Sequence, residues 1–98
     1  MRPEIEIGRI CYSVKGRDKG RLFVIMEKDD DEVLIADGDL RKADKPKKKN
    51  IKHIRPTVYK FDGDITSANS SQMNGMLRKR LKEIKDCIEN KEKEFVKE

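Results

Sequence analysis

Arg9-Ile10-Cys11-Tyr12-Ser13-Val14-Lys15-Gly16-Arg17-Asp18-Lys19-Gly20-Arg21-Leu22-Phe23-Val24-Ile25-Met26-Glu27 is the stretch on which the fold turns. Residues 9–15 alternate, with Ile10, Tyr12 and Val14 set against Arg9, Cys11 and Ser13. A period of two is the mark of a half-buried strand. Two glycines then bracket Arg17-Asp18-Lys19, where Gly supplies a positive φ at no steric cost. Residues 21–27 are β-branched, aromatic and nearly continuous in apolar character, as a central strand of a small barrel is. Strand, Gly-bracketed loop, strand is the reading.

Outward from this hairpin the same grammar continues. Asp29-Asp30-Asp31 turns the chain, and Val33-Leu34-Ile35-Ala36 reads as a third strand closed by the turn pair Asp37-Gly38. Leu40–Ala43 is expected as a short fourth strand. Pro46 cannot donate to a ladder, so 45–50 is expected as a loop or an edge. Ile51–Ile54 is expected as a fifth strand stopped by Pro56. Short, closely spaced strands with Gly/Asp turns point to a small closed or partly closed barrel. After Pro56 comes a connector with Tyr59, Phe61 and Ile65. From Ser71 the period lengthens: Met73, Leu77, Leu81, Ile84 and Ile88 make one helical stripe, with Asn69 or Ser70 as N-cap. The predicted organisation is mainly β: a barrel over residues 1–57, a connector over 58–70, and an amphipathic helix over 71–98. The helix is expected to pack on the barrel and to fray from Asn90.

Composition bounds what such a chain does. Its 98 residues are one domain's worth. Leu, Ile, Val and Phe number 23, which allows a small core and no large one. No apolar run approaches the ~18 residues of a membrane span, and the start carries no signal-like stretch, so a cytoplasmic protein is expected. Cys11 and Cys87 lie far apart in sequence from each other and from His53, so no metal set is expected and both are read as free thiols. Asp29–Glu32 and Asp62-Gly63-Asp64 lack the glycine and glutamate spacing of a calcium loop and read as polar turns. No phosphate-loop, dinucleotide or nucleophile-elbow pattern is present. The expectation is a binding protein without cofactor or catalysis.

The charge is laid out in blocks. There are 24 Lys and Arg against 19 Asp and Glu, a net of +5. Residues 1–40 carry −3 and residues 41–56 carry +7. Most such runs are solvated loops. Ile51 and Ile54 interrupt this one, which anchors it to a folded body and favours a phosphate-binding stripe. Its sign alone does not separate RNA from DNA or from an acidic protein.

The stretch Gly8–Val24 resembles a KOW motif, with a basic residue before the second loop glycine. The likeness continues through Val33–Gly38 and Lys49-Asn50-Ile51-Lys52-His53-Ile54 and covers roughly residues 5–57. It is nearest to the eukaryotic- and archaeal-type large-subunit ribosomal proteins called fourteen-e and their bacterial KOW-domain relatives. Other branches place a third glycine three residues after the second; here that residue is Phe23, which disfavours a transcription-elongation role. The resemblance implies an SH3-like barrel, structured ribosomal RNA as ligand and association with the large ribosomal subunit, the oligomeric state being open with a monomer favoured. Lys15, Arg17, Lys19 and Arg21 would frame the loop around Gly16 and Gly20. Arg41, Lys45, Lys47, Lys48, Lys49, Lys52, His53 and Arg55 would supply a second edge. Cations there neutralise phosphates and release counterions, and the loop glycines let a phosphate approach backbone N–H groups. Tyr12 and Phe23 read as core rather than stacking platforms, and His53 as a partly buried or capping residue. The alternative is a protein-binding SH3-like module that docks an acidic partner, with the helix as a dimer or partner surface.

Overall fold

The computed structural model describes residues 4–61 and 70–96, with side chains for 4–61 and 71–89. Five strands and one helix follow in order: β1 Arg9–Ser13, β2 Leu22–Lys28, β3 Glu32–Ala36, β4 Lys47–Asn50, β5 Ile54–Lys60 and α1 Ser70–Val96. A single 3-10 turn, Ile51–His53, joins β4 to β5. The sheet is antiparallel throughout, in the order β4-β3-β2-β1-β5.

The ladder is open. β4 and β5 are its two edges, and the 3-10 turn connects them where a closed barrel would have paired them. The sheet nevertheless curls. Cys11, Phe23, Ile25, Val33, Ile35 and Ile54 form one buried cluster that runs from β3 to β5, with Ile51 of the turn packed against it. The other face carries Ile10, Val24 and Ala36, with Met26 at the bulge between Ile25 and Glu27, all covered by Met73, Leu77, Leu81 and Ile84 of α1. This explains the unbroken apolar run of β2: Phe23 and Ile25 face the inner cluster while Val24 faces the helix, so both sides are dry. It also fixes the role of the helical stripe, which packs on the sheet as the period required.

Three local expectations are corrected. Leu40–Ala43 is not a strand. The Asp37 carboxylate accepts the N–H groups of Asp39 and Arg41, each at 2.9 Å, and the Arg41 carbonyl accepts from Asp37 and Gly38. A side chain that caps its own backbone this way competes with a ladder and wins. Ile51–His53 is a 3-10 turn, because Asn50 Oδ1 accepts the Lys52 N–H at 2.9 Å. Pro56 does not stop β5, which continues to Lys60. An edge strand needs only one side of its backbone paired, so the missing N–H is tolerated. The helical backbone is continuous from Ser70 to Val96. The Asn69 cap, Asp62–Asp64 and Ile65 lie outside the described residues.

The helix is pinned by more than its stripe. Asn74 Oδ1 accepts the Ala43 N–H at 2.7 Å, and Arg78 donates to the Gly38 carbonyl at 2.7 Å. Gly38 has φ +78°, and a Cβ there would overlap the Asn74 carbonyl, so only glycine allows this close approach.

Candidate nucleic-acid interface

The Gly16–Gly20 loop is braced by its own backbone. Gly20 donates to the Ser13 carbonyl at 2.8 Å, Lys19 to Gly16 at 3.2 Å and Arg21 to Asp18 at 3.0 Å. Gly16 and Gly20 have φ of +84° and +87°, which a side chain would strain. Val14 donates to the His53 carbonyl at 2.9 Å, which sets the 3-10 turn beside the start of the loop.

The loop and the basic segment, distant in sequence, meet through one carboxylate. Asp18 is only 3% exposed, and its Oδ2 receives Lys47 Nζ at 2.9 Å and Arg41 Nη2 at 3.3 Å. Burial pushes the Asp18 pKa up, but the hydrogen bond from Lys47 and the charges of Arg41 and Lys47 outweigh it, so the carboxyl lies below its ordinary value. Arg41 Nε is buried beside this cluster without a hydrogen-bond partner among the described residues. Lys49 is 8% exposed and donates to the Lys15 carbonyl at 2.8 Å.

Strand register explains why these lysines turn inward. Lys47 and Lys49 sit opposite Ile35 and Val33, whose side chains belong to the inner cluster. Their aliphatic stems therefore extend over that cluster and their ammonium groups emerge at the loop. Lys48, one residue out of phase, sits opposite Leu34 on the other face and only approaches Glu32 at 3.9 Å.

The candidate residues thus divide. Arg21 is tied to Asp37 at 3.1 Å and more loosely to Asp39 at 3.9 Å. Arg21, Arg41, Lys47 and Lys49 all serve contacts inside the protein. Lys15, Arg17, Lys19, Lys45, Lys52 and Arg55 have no ion pair among the described residues; Lys15, Arg17, Lys19, Lys45, Lys52 and Arg55 are all exposed. His53 is half-buried. Removing Lys47, Lys48 and Lys49 together is consequently not a neutral change, as a solvated run would allow, because two of them hold the loop. Sequence reasoning passed over Asp18 and Asp37. The available signals were a lone acid between two cations at Arg17-Asp18-Lys19 and an aspartate opening a turn at Asp37-Gly38, positions from which a carboxylate organises neighbouring cations or amides.

A curled antiparallel sheet backed by a helix, with a glycine-bracketed cationic loop at one end, defines the class: a KOW-type module. Among the described residues no cluster of His, Cys, Asp and Glu is arranged to hold a metal ion. No helix among them is long and apolar enough to cross a membrane.

Comparison with known proteins gives the particular family. Large ribosomal subunit protein eL14 of Methanococcus vannielii is 34% identical over 58 residues, 59% of this chain and 70% of that protein. The eL14 proteins of Saccharolobus islandicus and Saccharolobus solfataricus are 42% identical over 62 residues, 61% of this chain and 64% of theirs. The chain belongs to the family of large ribosomal subunit protein eL14 and spans about two thirds of the length of these relatives. That family is not enzymatic. No family model matches the chain.

Proposed function

We propose that this chain is an RNA-binding protein of the large ribosomal subunit, cytoplasmic, which holds structured ribosomal RNA by its phosphate backbone. The curled sheet acts as an SH3-like barrel whose loop end is the binding edge. Arg17 and Lys19 lead the contact, with Lys15, Lys45, Lys52 and Arg55 around them. One observation carries this reading. Arg17 and Lys19 are exposed and free of ion pairs among the described residues, yet they stand on a loop fixed by two positive-φ glycines and a buried aspartate. Cations held out by a rigid loop lose little conformational freedom on binding. Family membership supports the choice of RNA over an acidic protein.

The test is co-sedimentation with ribosomes at low and high salt, alongside a salt titration with a structured RNA fragment. Each neutralised phosphate contributes ~0.7–0.9 to the slope of log affinity against log salt. Arg17→Ala with Lys19→Ala should flatten that slope by roughly 1.4 to 1.8. An unchanged slope would remove the loop from the interface.

A further inference from the structure

We propose that the groove between β1–β2 and α1 is a second binding site, which takes an unpaired nucleotide with its base over Tyr12 and its phosphate between Lys82 and Lys85. This extends, and rests on, the assignment of RNA as the ligand.

The groove has a volume of about 750 Å³ and begins at Gly20, the last residue of the cationic loop. Its floor is apolar and only partly covered: Tyr12 and Leu22 from the sheet, Ile88 from the helix, each half-buried. The Tyr12 hydroxyl takes no hydrogen bond among the described residues. A large ring in that position is neither closed core nor a polar anchor. Lys82 and Lys85 stand three residues apart on one helical face, exposed and without ion pairs among the described residues. On the opposite wall Arg21 is already engaged by Asp37 and Asp39, and Arg78 of the helix by the Gly38 carbonyl, so the free positive charge of the groove is Lys82 and Lys85, with Glu89 the one carboxylate on their wall. Nothing lies within 4 Å of where a Gly20 Cβ would stand, so a backbone can pass from the loop into the groove.

An aromatic floor beside free cations is what a single-stranded nucleotide needs, since every base offers a π-face and every linkage a phosphate. A paired base keeps its faces stacked within the helix, so Tyr12 can reach only an unpaired one. The loop and the groove would then read a junction: backbone of a structured segment at Arg17 and Lys19, and a splayed nucleotide at Tyr12.

The chain has two tyrosines and no tryptophan. A Tyr59→Phe background therefore leaves Tyr12 as the sole source of tyrosine emission. The probes are octauridylate and a blunt RNA duplex. Octauridylate should quench Tyr12 emission on binding and the duplex should not. Tyr12→Leu should weaken octauridylate binding by roughly 5- to 100-fold, and Lys82→Ala with Lys85→Ala should flatten its salt slope by roughly 0.7, the share of the one phosphate they hold. Thermal melts of each variant report whether the sheet is intact. If octauridylate binds without quenching, or binds Tyr12→Leu as tightly as the parent, the groove proposal is overturned while duplex binding at the loop stands. If neither RNA binds, the parent reading falls first. If octaglutamate quenches as well as octauridylate, the occupant is an acidic peptide and the nucleotide assignment is wrong.

Discussion

Two groups of cations lie within a few residues' reach of each other and do opposite work. Lys47 and Lys49 of β4 carry the same charge as Arg17 and Lys19 of the loop. The β4 pair covers the inner cluster with its stems and spends its ammonium groups on Asp18 and on the Lys15 carbonyl. The loop pair is exposed and bonded to nothing among the described residues. The difference is one of register: β4 places alternate residues on opposite faces, so two of its three lysines are drawn inward. A run of like charge is therefore not one functional unit. The inward lysines fix the shape of the edge, and the loop cations, which have no partner among the described residues, are the ones the proposed function assigns to a ligand.

The sharpest way to break this distinction is to remove Lys49. Its ammonium is nearly buried, and its stem fills space over Val33 and the inner cluster. Lys49→Ala is expected to lower stability by about 2 kcal/mol, through lost packing and a lost charged hydrogen bond. For a domain of this size that is a fall in Tm of roughly 10 °C. Lys49→Met keeps the stem and loses only the bond, so it should recover about half of the fall. A melting temperature equal to the parent's for Lys49→Ala would return Lys49 to the pool of surface cations.

Asp18 sets the next largest effect. Asp18→Asn keeps the shape but removes the charge that Arg41 and Lys47 converge upon, and should cost about 1–2 kcal/mol near neutral pH. Because the folded-state pKa of Asp18 is depressed, its stabilisation is fully present above the unfolded value of about 3.9. It is lost as pH falls from there through the lower folded-state pKa. Thermal melts of parent and variant should therefore differ near neutral pH and converge in strong acid. A gap that persists undiminished into strong acid would show that shape rather than charge holds the loop.

The comparison also marks what the sequence discloses. The loop hairpin, the three central strands and the packed helix follow from local periods and glycines, because each is decided by burial on one or two known faces. The Asp37 corner and the Asn50 turn escaped, because a single side-chain oxygen capturing a nearby N–H leaves no period to read. The run through Pro56 escaped for another reason. Whether a proline ends a strand depends on that strand being an edge, which only the tertiary order of the sheet decides. The site was half legible. Charge located the two segments, but Asp18 joins them across the fold, and which lysines it consumes depends on register with β3.

The loop pair should show the converse of the β4 pair. Arg17→Ala with Lys19→Ala is expected to leave Tm within about 2 °C of the parent, since neither side chain is bonded among the described residues. Its effect belongs to the salt slope alone. A substantial loss of stability would mean that the loop cations also hold the fold.

Lys48 gives the smallest expected effect and the finest test. It lies between two structural lysines, yet register turns it to the other face of β4, opposite Leu34 and away from the Lys15–Gly20 loop. Its approach to Glu32 is 3.9 Å with both side chains well exposed, and pairs of that kind contribute at most a few tenths of a kcal/mol. Lys48→Ala should therefore leave Tm within about 2 °C of the parent. It should also leave the salt slope for structured RNA unchanged, because its charge faces away from the binding edge and distant charges are screened within ~8 Å at physiological salt. The control is Lys47→Ala, one position away, which should destabilise through Asp18. If Lys48→Ala flattens the slope by ~0.7–0.9, one phosphate contact lies on the helix-facing side of β4. The binding edge would then wrap around the strand instead of ending at its inner face.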